Sequence, residues 1–389
     1  MFRPSFLLSF LITHFLGNAY CSSNTLSLFI VMTHTSLPKL VVKSTSLQHN
    51  CRSLLSLCKS HNVSLAAVTK CFCADLRIAQ VFFESGITTF ADSRLSNLSK
   101  LRNHFSDNVS LLMLRLPMLS EVPNLVQVAN MSLNSELKTI KAINNAALSL
   151  NKKHGVILML DLGDRREGVD PDSAISIVEE VLKLSNINFM GIGVNLTCFG
   201  AVRPTKTNLN KLVQVANNVK NTFNIDFPII SGGGSTSLYL LEEESVPSIT
   251  QLRVGEALLL GSDPATSLPL ADCVSDAFTL HAEVIEVQSK PSLPEGELAV
   301  DAFGNVPVFE DRGRRRRAIC SIGEQDVAVS GLTPLDQGVL VLGGSSDHLI
   351  LDVEDSNHSI EVGTVLKFSC SYGALLRVFT SSYVNKEIV

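Results

Sequence analysis

The sequence predicts an α/β protein, a (β/α)8 TIM barrel carrying a C-terminal all-β domain. Three observations predict it. Short apolar runs of strand length alternate with longer amphipathic runs eight times between Leu65 and Gly255. After about Asp272 the rhythm changes to short β-rich runs separated by Gly, Pro, Asp and Asn. Polar or glycine-rich clusters close the apolar runs at their C-terminal ends, where barrels of this kind carry their chemistry. The organisation that follows is an extension over residues 1–35, a barrel over 36–275 and a β domain over 276–389.

In the extension, Met1 to Ser5 lead into an apolar run from Phe6 to Gly17, then the small residues Ala19, Cys21 and Ser22. That is the layout of a secretory signal. Read otherwise, translation begins at Met32 and this stretch lies upstream of it. Nine cysteines without C-x-x-C spacing form a reduced thiol set, neither a disulfide framework nor a zinc site. Such a set suits the cytoplasm, with secretion the alternative if residues 1–22 act as a signal peptide.

Residues 47–61 form an amphipathic helix with Leu54, Leu55 and Leu57 on its apolar side. The predicted barrel strands are 65–70, 87–91, 109–114, 126–131, 156–162, 189–195, 228–231 and 252–255. Helical patterns at 76–86, 137–152, 174–184 and 209–223 lie between them. The β domain is read at 279–287, 318–322, 338–342, 349–353 and 365–369. A net charge of −5 excludes the basic footprint of a nucleic-acid binder. Arg314 to Arg317 are too short a basic run to change that, and read as strand-edge charges or partners for acidic groups. After the extension, no stretch reaches the ~20 uninterrupted apolar residues of a membrane span.

The first strand ends in Lys70 and is followed by Cys71-Phe-Cys-Ala-Asp75 and a helix. A lysine at that end of a buried strand can shed its proton and form a Schiff base with an aldehyde. The seventh strand ends Ser231-Gly-Gly-Gly-Ser-Thr-Ser237. Glycines let the backbone approach an anion, the hydroxyls donate to it, and barrels place phosphate sites after strands seven and eight. An aldehyde-capturing lysine and a phosphate cradle in one barrel mouth together suggest pyridoxal phosphate.

These residues resemble the fold-type III pyridoxal-phosphate enzymes of the alanine racemase type, in particular the ornithine racemase and predicted amino-acid racemase branch. The resemblance rests on Val68 to Asp75, Ala91 to Arg94, Leu114 to Met118 and Asp161 to Gly168. It continues through Asn195 to Cys198, Leu252 to Glu256, Asp301 to Gly304, Phe309 to Gly313, Ser346 to Asp352 and Tyr372 to Leu376. The family implies racemisation of a free amino acid, ornithine-like or of broad specificity, in a homodimer with shared active sites. Lys70 would bind the cofactor and act as one base. Ser235, the backbone at Gly255 and Glu256, and Tyr372 would hold the phosphate. Arg253 would face the pyridine nitrogen, and Arg166 the substrate carboxylate or the phenolic oxygen. Asn195 stands where the alanine enzymes carry a histidine, and Asp347 matches a residue supplied by the second subunit.

The chain also departs from the alanine enzymes. Their second-base tyrosine falls near Phe303, and Ala74 replaces another tyrosine. Cys198 is the candidate for the opposite face of Cα, with Asp347, His348 and Asp301 behind it. Three other functions fit this fold type: a non-catalytic cofactor carrier, a metal-assisted D-amino-acid aldolase or dehydratase, and a decarboxylase. More than a hundred residues beyond the barrel, no His/Cys metal pair, and Arg253 at the ring favour the racemase over each in turn.

Overall fold

The structure, a computed structural model, describes residues 37–242 and 247–389, so the predicted extension over 1–35 lies outside the described residues. The first described strand, β1 (Lys39–Val42), pairs antiparallel with a strand of the C-terminal sheet and sits outside the barrel. The barrel closes from eight parallel strands: β2 (Ser64–Val68), β3 (Thr89–Asp92), β4 (Ser110–Met113), β5 (Met131–Asn134), β6 (His154–Leu160), β7 (Ile187–Val194), β8 (Ile229–Gly234) and β9 (Gln251–Val254). β9 returns to β2, with Leu65 opposite Leu252.

Strand periodicity divides the apolar residues into two cores. Ala66, Val68, Ala91, Leu112, Leu133, Ile157, Met159 and Ile229 fill the barrel interior. Their sequence neighbours Leu65, Ala67, Phe90, Leu111, Met113, Val156 and Leu158 face outward and pack under the helices. Helix starts carry their own signals. Asp75 caps Leu76–Glu84 by accepting from the Arg77 backbone, and Thr205 with Asn208 forms a capping box before Lys206–Phe223. Among the described residues no helix is long and apolar enough to cross a membrane.

One predicted strand is displaced. The run 126–131 reads as β because it is rich in valine, yet Val122–Val128 is a helix and the strand is Met131–Asn134. Pro123 lies in the first turn of that helix, and Val122, Leu125 and Val126 share its buried side. The strand is harder to see because its outward, helix-facing positions hold polar groups. Ser132 and Asn134 are fully buried beside His154.

Seven strands follow the barrel: β10 (Phe278–Pro291), β11 (Arg314–Cys320), β12 (Leu332–Pro334), β13 (Leu340–Gly344), β14 (Leu349–Asp352), β15 (Val365–Cys370) and β16 (Asn385–Ile388). Their main sheet runs β12-β15-β10-β11-β14-β13, antiparallel throughout, and β1 bridges β10 to β16. Arg314 to Arg317 lie on β11, between β10 and β14 and not at an edge. Arg315 pairs with Asp352 and Asp355 of the same domain. This domain also contains a helix, Tyr372–Thr380, capped by Ser371 and burying Ala374, Leu375, Val378 and Phe379.

His154 begins β6 with no exposed surface, and its Nε2 lies 2.9 Å from Ser132 Oγ. Burial holds the imidazole down from 6.5 to about 4. Between those values the unfolded chain takes up a proton that the folded chain refuses. Stability is therefore full above about pH 6.5 and falls as pH drops toward 4, by up to about 3 kcal/mol from this group. Urea unfolding at pH 7 and 4.5 should show wild type losing about 2 kcal/mol more than His154→Gln. Equal losses would mean that the imidazole does not titrate in that window.

Candidate active site

At the end of β2, Thr69 is fully buried and Lys70 emerges into the barrel mouth. A buried carboxylate on the next strand sets this strand end. Asp92 accepts from Thr69 Oγ1 at 2.5 Å, from the Arg94 backbone at 2.8 Å and from Asn97 Nδ2 at 3.2 Å. Burial raises the Asp92 carboxyl, and these donors oppose that shift. Beyond Lys70, Cys73 and Ala74 both take left-handed conformations at φ 52° and 50°. They turn the chain so that the Ala74 N–H returns to the Thr69 carbonyl at 3.2 Å. Among the described residues, the Lys70 amine has no hydrogen-bond or ion-pair partner.

Across the mouth, β8 runs out through Gly232, Gly233 and Gly234 to Ser235. Gly233 has φ +108°, and a Cβ there would meet Ser237 Oγ at 2.8 Å, so only glycine fits. Ser235 Oγ accepts from the backbone N–H groups of Gly255 and Ala257 at 3.1 and 3.2 Å. Backbone donors and a hydroxyl thus converge where two strand ends meet, as an anion seat requires. Glu256 lines the same wall. Burial pushes its carboxyl up to about 7; Lys70's charge pulls it down and Asp263's pushes it further up. Tyr372 reaches in from the first turn of the β-domain helix, and burial raises its phenol, so it stays protonated.

Arg253 is buried, with Nη2 donating to the Val194 carbonyl at 2.8 Å and Nη1 to Ser231 Oγ. Burial pushes the guanidinium down to about 10, with Glu167 opposing and Arg166 adding to the shift; it remains cationic at neutral pH. Arg166 is gripped by Glu167 through both Nε and Nη2. Asn195 has a buried Nδ2 without an acceptor. Asp164, 2% exposed, accepts from the backbones of Cys198 and Phe199 at 3.1 Å, joining the loops after β6 and β7.

One cavity of about 900 Å³ collects Lys70, Arg166, Asn195 and Cys198 with Ser235, Arg253, Gly255, Glu256 and Tyr372. Asp347 and His348 are exposed in the turn between β13 and β14, and Asp301 and Phe303 lie on the exposed excursion between β10 and β11. None of these four lines the cavity. The cavity wall also holds Arg94, Arg115 and Glu167, to which sequence reasoning assigned no role. Their signal was position, since each follows a barrel strand by a few residues within a quoted motif.

Comparison with known proteins places this geometry in context. The family model "Alanine racemase, N-terminal domain" matches residues 42–263. An ornithine racemase from Acetoanaerobium sticklandii is 45% identical over 354 residues, covering 90% of this chain and 99% of that protein. A lysine racemase from Thermotoga maritima is 35% identical over 350 residues, covering 90% and 98%. In fold, an alanine racemase from Clostridium difficile superposes with TM-score 0.71 over 92% of this chain and 96% of its own, at 16% identity.

The Asp92 network makes a stability prediction. Removing its carboxylate strands the buried donor Asn97 Nδ2 and leaves Thr69 Oγ1 only the long contact to the Ala91 carbonyl at 3.4 Å. Asp92→Ala should lower the free energy of urea unfolding by about 3 kcal/mol, and Thr69→Val by about 1 kcal/mol. A change under about 0.5 kcal/mol for Asp92→Ala would show that water or another acceptor replaces it.

Proposed function

The chain belongs to the alanine racemase N-terminal domain family and is an amino-acid racemase, and on that premise we propose that it uses pyridoxal 5'-phosphate held at Lys70 to interconvert the enantiomers of a free basic amino acid, ornithine-like in its side chain or of broader range. One observation carries this reading. A lysine without a partner among the described residues shares a single cavity with a serine–glycine anion cradle and a buried arginine.

The residues present fit that cofactor. Ser235 with Gly255 and Ala257 would seat the phosphate, and the protonated Tyr372 would donate to it. The acceptor-less Nδ2 of Asn195 has a hydrogen bond to give. When bound, the cofactor supplies an electron sink for the pair left at Cα as its proton departs. Arg253 cannot hand over a proton, so a nitrogen facing it stays unprotonated and the sink stays moderate. Return of the proton to Cα is thereby favoured over its transfer elsewhere. Lys70 would take or return that proton on one face. Cys198, whose backbone Asp164 anchors and whose side chain lies within electrostatic reach of Arg166 and Arg253, would serve the other.

A homodimer with shared active sites completes the reading. Leu298, Val300, Phe303, Val306 and Val308 are 51–95% exposed along the excursion between β10 and β11, and Phe199 is 78% exposed at the cavity rim. So much apolar surface supports a covering partner, whose Asp347 would approach this cavity. Free cysteines throughout the described residues support a reducing, cytoplasmic setting.

Two experiments test the chemistry. Borohydride should fix the cofactor covalently, and peptide mass mapping should find it on Lys70. Lys70→Ala should lose both the fixation and the visible band of the bound cofactor. If that variant keeps both, the cofactor sits elsewhere. For the second base, Cys198→Ala should keep Cα–deuterium exchange from one enantiomer and lose at least ~100-fold from the other. Unchanged exchange from both would make Cys198 structural and move the role to the partner's residues.

A further inference from the structure

We propose that Arg94 and Arg115 together form the seat for the α-carboxylate of the amino acid; this rests on the racemase reading above. A carboxylate entering a part-closed cavity loses water and needs a charged donor in its place. Four arginines line the wall: Arg94, Arg115, Arg166 and Arg253. Two are already engaged. Arg253 is held by Ser231 and the Val194 carbonyl, and Arg166 by both oxygens of Glu167. The Arg94 side chain is exposed to the mouth and has no hydrogen-bond or ion-pair partner among the described residues. Arg115 is held at one corner only. Its Nη2 meets Glu121 at 2.7 Å, while its Nε is buried without an acceptor. Between them the two side chains have unused donors suited to a carboxylate.

Their placement relative to Lys70 is built into the barrel. β3 and β4 are the next strands around the ring from β2. Asp92 accepts from Thr69, the residue before Lys70, and from the backbone of Arg94. Its carbonyl also accepts from the backbone of Leu114, the residue before Arg115, at 2.9 Å. One buried residue therefore fastens the three strand ends that carry the amine and the two guanidiniums. The Ser235 cradle lies on β8 and β9, on the other side of β2. Lys70 is thus flanked by two anion seats. The cradle side takes a phosphate on backbone donors, and the arginine side takes a planar carboxylate on guanidinium donors.

The test compares ornithine with its α-carboxamide, which keeps the size and loses the charge. Cofactor-loaded wild type, Arg94→Met, Arg115→Met and the corresponding Arg→Lys variants are assayed for racemisation. Binding is titrated separately from the change in the cofactor's absorbance. Each Met variant should raise KM and the dissociation constant for ornithine about 10- to 100-fold and leave the carboxamide within about 3-fold. The wild-type preference for the charged ligand should then collapse, and lysine should restore part of it. If both Met variants keep the wild-type preference, the seat is elsewhere. If they instead shift sedimentation from dimer to monomer with ornithine affinity unchanged, the arginines serve a partner's acidic residue and the proposal is overturned. Should a Met variant not fold, its Lys counterpart still reads the preference, which should fall at least about 5-fold. A wild type that racemises no amino acid would sink the racemase reading alone, because the titration still reports whether the two arginines sense the carboxylate.

Discussion

Asp92 accepts from Thr69, Arg94 and Asn97 through its side chain and from Leu114 through its carbonyl, so three neighbouring strand ends depend on one buried residue. Parallel strands in a barrel set their mutual height by backbone ladders, but the ladders stop where the chain turns outward. Past that point the loops need another anchor, and here it is a carboxylate with each of its oxygens engaged. Burial disfavours its charge, and the converging donors offset that cost. The left-handed turn at Cys73 and Ala74 folds the chain back onto this strand end, with the Ala74 N–H on the Thr69 carbonyl. The amine is thus positioned by side chains that do not themselves touch the cavity.

The same logic recurs on the opposite wall with Asp164, which joins the loops after β6 and β7 by accepting from Cys198 and Phe199. Between these two anchored arcs the cavity holds an uneven set of charges. Arg166 and Glu167 neutralise each other, Arg253 is cationic and buried, and Glu256 is poised near 7 beside Lys70. Charges that are buried in the wall, Arg253 above all, act over a longer range than they would at the surface. A carboxyl titrating near neutrality beside the anion cradle matters to its neighbours, since its charge would oppose a bound phosphate. Binding of an anion there and protonation of Glu256 favour each other by simple linkage.

The two domains meet in the site through Tyr372, which begins a helix inside an otherwise β-rich domain. β1 contributes in the opposite sense, because the chain enters through the C-terminal sheet before it starts the barrel. The β domain therefore holds both ends of the described chain and lends the barrel mouth one aromatic wall. Exposed apolar residues between β10 and β11 extend that domain beyond its own core.

Local pattern was enough to determine most of the elements and several of the residues with chemistry. Period-two alternation and helical spacing depend on side chains within a turn or two of one another, so all but one of the barrel strands and Lys70 at a strand end were legible in the chain itself, while the glycines Gly232–Gly234, read as a turn, extend β8. The resemblance added roles for Arg253, Ser235 and Tyr372, and the cavity contains all three. What the pattern could not decide needed contacts distant in sequence. The run 126–131 looks like a strand until the buried side of Val122–Val128 is seen against neighbouring helices, and the true strand hides because Ser132, bonded to Asn134 and His154, stands among its outward, helix-facing positions. Arg94 and Arg115 read as ordinary surface cations until closure of the ring sets them on one arc with Lys70. Asp92 likewise reads as a polar residue ending a strand, and its role exists only once three strands stand side by side. Sequence determines which residues can pair with water, with a neighbour or with an apolar core; only the closed barrel decides which of them share a cavity, because that depends on a register summed over eight strands.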